Sequence, residues 1–168
     1  LTNDGSDEIK IQFWSNYSKF IKLGIHENDK FKDKLLKLLR FNTTTHNFTS
    51  LDEYISRTPE DQKEVFYLVG ENEKQLKSSP FIENLVSSGT EVALFSEPID
   101  EYVMQSVREY ESMKFVSCSK THSCFKDQNE NTDFSPLLEK IKTVLANNIE
   151  NVVVSTRLEN SPSCIVSG

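Results

Sequence analysis

The sequence predicts an α/β fold. A helical segment comes first, then a small β-α-β-α-β three-layer domain on a parallel sheet, then a partial α+β second domain. Three observations carry this reading. Between Glu64 and Lys120 the short apolar runs EVFYLVG, TEVALFS and KFVSCSK alternate with ENEKQLKSSPFIENLVSSG and EPIDEYVMQSVREY, which have helical period. Turn or cap residues bound each run, the pattern of consecutive β-α-β units. The flanking segments read mainly as helices, and THSCFKDQNENTD (121–133) breaks all periodicity and marks a boundary. The expected units are 1–60, helical; 61–120, a small α/β unit; 121–134, a linker; and 135–168, the start of a second domain.

In order, residues 1–7 form a lead-in. Ile9, Phe13, Trp14, Tyr17, Phe20 and Ile21 then recur at helical steps, predicting an amphipathic helix that stops at Gly24, a residue suited to a left-handed C-terminal cap. The preferred reading packs this aromatic stripe on the next helix; the alternative is a docking surface built on Trp14, Tyr17 and Phe20. Asn28 or Asp29 caps a second helix with Phe31, Leu35, Leu38 and Leu39 inward and Lys30, Lys32, Lys34, Lys37 and Arg40 on a solvated face. FNTTTHNFT reads as a loop, and Ser50 with Glu53 makes a capping box for LDEYISR.

Glu64–Val69 is almost continuously apolar, which suits a strand buried on both faces. Asn72 starts a short helix through Lys77, and Ser79-Pro80 restarts one with Phe81, Leu85 and Val86 inward and Gly89 at its end. Strand Glu91–Phe95 leads to a helix with Ile99, Tyr102, Val103, Val107 and Tyr110 on one side, and Lys114–Ser119 completes the sheet. Beyond the linker, Ser135-Pro136 opens a helix carrying Leu137, Leu138, Ile141, Val144 and Leu145. Strands Asn151–Thr156 and Ser163–Val166 follow. These last elements cannot bury their apolar faces alone, so we expect a second domain cut short.

Composition narrows the function classes. The chain has 168 residues, 36% hydrophobic content and a net charge of −7. That balance argues against a nucleic-acid partner, since phosphate binding needs clustered Lys and Arg. No apolar run approaches the ~18 residues of a membrane helix. The opening LTNDGSDE leads us to expect an excised piece of a longer chain, with any targeting segment outside it. Three cysteines form no disulfide framework and favour a reducing compartment. Asn16-Tyr17-Ser18, Asn42-Thr43-Thr44 and Asn47-Phe48-Thr49 match the N-glycosylation tripeptide and are read as accidental unless the parent is secretory.

No catalytic, cofactor-binding or metal-binding residue is assigned. The first β-α turn, VGENEKQ, has one glycine and fits neither phosphate-binding fingerprint. Glu97, Asp100 and Glu101 follow a strand's C-terminal end, where ligands bind in open α/β sheets, and a magnesium or phospho-acceptor site could use such carboxylates. Helix capping is the preferred reading of these acids. Cys118, His122 and Cys124 lack the paired spacing and fourth ligand of a zinc site. His26 and His46 lie in loops without a nucleophile nearby.

Eight segments, in order and covering nearly the whole chain, resemble the ninety-kilodalton heat-shock chaperone family: FWSNYSKFIKLGIHEN, LLKLLRF, TSLDEYISR, QKEVFYLVGE, SSPFIENL, EVALFSEPIDEYVMQ, KFVSCSK and VVVSTRLENSPSCIVSG. The combination of TSLDEYISR, SPFIENL and PIDEY is specific. The resemblance places Leu1 to about Lys120 in the later part of the family's middle domain and Ser135 onward at the opening of its C-terminal dimerisation domain. It implies an ATP-driven chaperone that binds incompletely folded clients and co-chaperones and works as a homodimer, without nucleic-acid or membrane partners. ATP and magnesium would belong to an N-terminal domain lying outside this chain. The family's ATP-contacting middle-domain arginine would lie upstream of Leu1, so neither Arg40 nor Arg57 is that residue. This sequence departs from the family in its shorter, less acidic linker, in Thr58 after Arg57, and in Ser161-Pro162-Ser163-Cys164, which has one thiol where some members have two. Any redox role there would rest on Cys164, read as a buried, inert thiol. FWSNYSKFIKLG, TSLDEYI and the terminal IVSG look closest to organellar, plastid-like members; a mitochondrial or cytoplasmic setting is the alternative. Beside the chaperone reading stand a self-contained protein-interaction module and a phospho-receiver-like domain using Glu97 and Asp100.

Overall fold

The computed structural model describes residues 6–120 and 134–166. Helix α1 (Ser6–Glu27) is longer than its pattern implies and runs straight through Gly24. A Cβ on Gly24 would lie 2.9 Å from Leu35 Cδ1. The glycine therefore serves close approach of α2 (Lys32–Leu36), not helix termination. The Phe31 amide donates to Asn28 Oδ1 at 3.3 Å, so Asn28 does organise the entry to α2. The inward residues are Leu36 and Leu39, whereas Phe31 and Leu38 are exposed, because the helix ends after five residues and rotates the predicted face outward.

A five-stranded sheet with order β1-β3-β2-β5-β4 lies at the centre. Strands β2 (Glu64–Val69), β3 (Ala93–Phe95) and β5 (Met113–Ser117) are parallel, with Tyr67 opposite Ala93 and Val65 opposite Phe115. This is the predicted parallel core. Two antiparallel edges add to it. Asn42–Thr43, expected as loop, forms β1 against β3. Glu109–Tyr110, expected as the end of a helix, forms β4 and turns into β5 through Glu111 and Ser112, both at positive φ. Such a two-residue turn usually announces itself by Asn-Gly or Asp-Gly, and neither is present.

The helices between strands start where their caps require. Ser50 and Glu53 close a reciprocal capping box on α3 (Leu51–Arg57). Asn72 caps α4 (Glu73–Lys77), and Ser79 caps a 3₁₀ turn at Pro80–Ile82 that leads into α5 (Glu83–Ser87). Helix α6 (Pro98–Ser106) follows β3. Two apolar clusters sandwich the sheet. On one face Ile21, Ile25, Leu36, Leu39, Phe41, Leu51 and Tyr54 meet Val65, Tyr67, Phe95, Val103 and Met104. On the other, Leu76, Ile82 and Leu85 cover Phe66, Leu68, Val92 and Leu94. The N-terminal helices thus share one core with the sheet. Val86 and Tyr102, expected inward, are exposed.

Helix α7 (Ser135–Leu145) buries no residue, and Leu137, Val144 and Leu145 face outward. The expected strands at 151–156 and 163–166 are absent: both segments are irregular. A strand needs a pairing partner, and a lone hairpin is marginal in water. Side-chain contacts hold this segment instead. Among the described residues no helix is long and apolar enough to cross a membrane.

Candidate functional site

The chain after β2 passes to α4 and α5 on one face of the sheet, while the chain after the adjacent parallel β3 passes to α6 on the other. Where neighbouring strands send their loops to opposite faces, a crevice opens beyond their C-terminal ends. A groove of about 710 Å³ lies there, within the usual range for ligand pockets. Tyr67, Val69 and Gly70 come from the β2 end, Ser96, Glu97 and Pro98 from the β3 end, and Ser117, Ser119 and Lys120 from the β5 end. Glu71 and the α6 residues Glu101, Tyr102, Met104 and Gln105 complete the wall. Gly70 fits because a Cβ would meet Leu76 Cδ2 at 2.8 Å, and its amide donates to the Phe95 carbonyl at 3.0 Å. Burial is the largest influence on the Tyr67 phenol and raises its pKa.

The acids picked out in the sequence divide between two roles. Glu97 and Asp100 form the capping box of α6, the Glu97 amide donating to Asp100 Oδ2 at 3.0 Å. Asp100 is 1% exposed and turns away from the groove toward Lys22, itself 3% exposed, whose Nζ lies 2.7 Å from Asp100 Oδ1 and 3.4 Å from Glu97 Oε2. Both oxygens are buried without a well-aligned hydrogen bond, so charge more than direction holds the pair. Burial pushes the Asp100 pKa up and Lys22 partly offsets it. This ion pair joins α1 to α6 and was not signalled by the sequence. The phospho-receiver reading loses its acceptor here, since Asp100 is committed to Lys22. Glu101 is exposed on the groove wall.

The other candidates are scattered. Cys118 is fully buried beneath α4 and α5; His122 and Cys124 lie outside the described residues. Among the described residues no cluster of His, Cys, Asp and Glu could hold a metal ion. His26 Nδ1 lies 3.1 Å from the Tyr102 carbonyl, and His46 Nδ1 lies 3.2 Å from Glu91 Oε1. Arg57 grips the same Glu91 through Nε at 3.0 Å and Nη2 at 2.9 Å, tying α3 to the approach to β3. Arg40 Nη1 donates to the carbonyls of Lys37 and Leu39 at the end of α2. Cys164 is half-buried, not buried. The stripe on α1 is largely exposed: Ile9, Phe13, Tyr17 and Phe20 face outward, Trp14 is half-buried and Ile21 alone of the set enters the core. This overturns the packing expected for it, because α2 is too short to cover a 22-residue helix.

The C-terminal segment is fastened to the α/β core by two side chains. Arg157, 6% exposed, donates to the carbonyls of Cys118 and Lys120 beyond the end of β5, and its own carbonyl accepts from the Asn84 amide at 3.2 Å. The Glu83 carboxylate accepts the Ser161 hydroxyl and the amides of Glu159, Asn160 and Ser161, the amides at 3.0, 3.0 and 3.1 Å. The Ser161 hydroxyl, then those amides, hold the Glu83 pKa down from 4.5 to about 2. A carboxyl whose folded pKa is depressed contributes fully above its unfolded value and loses that contribution as pH falls through the folded one. We therefore expect the amide resonances of Glu159–Ser161 to move together as pH falls from about 4.5 to about 2. In Glu83→Gln they should already sit near the released position at neutral pH.

The family model described as Hsp90 protein matches residues 3–168. An endoplasmin homolog of Catharanthus roseus is 40% identical over 98% of this chain and 21% of its own length. One from Arabidopsis thaliana is 39% identical over the same shares. A heat shock protein 83 of Leishmania donovani is 40% identical over 93% of this chain and 37% of its own length. The chain spans about a fifth of the plant relatives it matches.

Proposed function

Because this chain belongs to the Hsp90 family, we propose that it is the non-catalytic relay of an ATP-dependent chaperone, joining an ATP-sensing middle region to a dimerisation region and offering surface to clients and co-chaperones. On this reading 1–120 is the later middle domain, 121–134 the linker and 135–168 the start of the dimerisation domain, with nucleotide and magnesium bound elsewhere in a homodimeric parent. One observation carries the reading: Arg157 and Glu83 clamp the segment beyond the linker onto the α/β core. A relay needs such a joint, since displacement travels between two regions only through packed or hydrogen-bonded contacts. The exposed aromatic face of α1 supports the client-surface part of the proposal. The relatives' names cover endoplasmin homologs and a heat shock protein 83, so both organellar and cytoplasmic settings fit the proposal.

The test is a light-scattering assay of a heat-denatured client protein with this chain added. The chain should slow aggregation equally with and without ATP, and Phe13→Ser with Phe20→Ser, both at exposed positions, should remove most of the effect. ATP hydrolysis by the chain alone, at a rate comparable to its full-length parent, would overturn the proposal.

A further inference from the structure

We propose that the groove beyond the C-terminal ends of β2, β3 and β5 binds a lysine or arginine side chain on an extended polypeptide segment; this rests on the client-surface reading above and names the chemistry of one such contact. Glu97 lines the groove, but its Oε2 is buried against Lys22 at 3.4 Å, so among the described residues the charges free to meet a ligand on the wall are the exposed Glu71 and Glu101 against the ammonium of Lys120. The surplus is negative in a chain whose net charge is already −7. An anionic ligand such as a nucleotide is repelled there, and the first β-α turn has no run of glycine amides to offset the repulsion.

The remaining lining fits the rest of such a side chain. A lysine or arginine carries its charge on an apolar stem that seeks apolar cover. Met104 and Val69 supply that cover. The Tyr102 ring, 56% exposed, is available for a cation to lie against its face. Its backbone is held by His26, whose ring also packs edge-on against it at 5.8 Å, so the aromatic wall is positioned before any ligand arrives. The hydroxyls of Ser96, Ser117 and Ser119 can accept the ammonium or guanidinium hydrogens left over. A volume of about 710 Å³, open along one side, accommodates the side chain together with the backbone that carries it.

The experiment titrates the full chain into a fluorescently labelled, unstructured peptide with one central lysine, and into the same peptide with norleucine there. The lysine peptide should bind about tenfold tighter, and added salt should narrow the gap. Glu71→Lys with Glu101→Lys, both exposed and outside the capping box, should abolish the preference while circular dichroism stays unchanged. Tyr102→Leu should weaken lysine binding severalfold. Equal binding of the two peptides overturns the inference, as does a preference that survives Glu71→Lys with Glu101→Lys. If Phe13→Ser with Phe20→Ser removes binding and the groove variant does not, the inference fails while the chaperone reading stands. Calcium, titrated alone, should leave the amides of Ser96 and Lys120 unmoved; shifts there at micromolar calcium would make the groove a metal site and overturn the inference.

Discussion

Replacing Lys22 with methionine lowers the unfolding free energy at neutral pH by about 3–5 kcal/mol. The expectation follows from what is left behind. Asp100 is 1% exposed and its Oδ1 faces the Lys22 ammonium at 2.7 Å. Methionine fills the stem's volume but removes the charge, so a buried carboxylate remains without its counter-ion, together with Glu97 Oε2 at the same spot. The loss also has a pH signature. Burial already raises the Asp100 pKa, and without Lys22 it rises further. A carboxyl with a raised folded pKa stabilises the fold below its unfolded pKa and destabilises it as pH climbs through the folded value. The variant should therefore regain stability as pH drops toward the ordinary aspartate range. Adding Asp100→Asn should recover most of the loss at neutral pH, because asparagine still accepts from the Glu97 amide and carries no charge. Urea unfolding followed by Trp14 fluorescence measures all three proteins, Trp14 being the only tryptophan and lying under the Lys22 ammonium at 5.7 Å. A single-variant loss below about 1 kcal/mol would mean that the pair is solvated and does not tie α1 to α6.

That ion pair marks where sequence reasoning stops. The parallel strands were legible because Val65–Val69, Ala93–Phe95 and Phe115–Val116 are apolar runs punctuated by caps, and the caps at Ser50, Asn72 and Ser79 act locally as their residue types predict. The edge strands were not, because two residues carry no periodicity. Gly24 looked like a helix end because glycine is ambiguous: it permits positive φ and it also permits close approach, and only the position of Leu35 decides between them. The outward face of α1 was misread for a related reason. A helical stripe reports an apolar face but not what covers it, and α2 covers only the Ile21–Ile25 end. As for the groove, Glu97 and Glu101 stood out in the sequence by their place after a strand, while Glu71 did not. The groove's floor could not be read there, since Ser96, Ser117 and Tyr67 come together only through the order of the strands.

Phe95→Ala should cost a further class of stability, about 3–5 kcal/mol, and should loosen the groove selectively. Phe95 is 1% exposed at the end of β3, with its ring 5.3 Å from Phe41 and 6.3 Å from Tyr67. It therefore joins the N-terminal helical region to the central strand. It also lines a half-open pocket of about 100 Å³ beside Trp14, Lys22 and Asp100. Truncation removes the ring that Phe41 and Tyr67 pack against and leaves a cavity beside the buried ion pair, so the cost follows the range for an aromatic-to-alanine change in a core. Phe95→Leu keeps much of the volume and should lose a smaller share. Residues on both sides of Phe95 lead into the groove: its carbonyl accepts from Gly70, and Ser96 and Glu97 follow it directly. Hydrogen exchange at Gly70, Ser96 and Glu97 should thus accelerate more in Phe95→Ala than exchange at Leu76 or Leu85 on the opposite face. Uniform acceleration at both sets would place Phe95 in the general core alone, with no coupling between its packing and the shape of the groove.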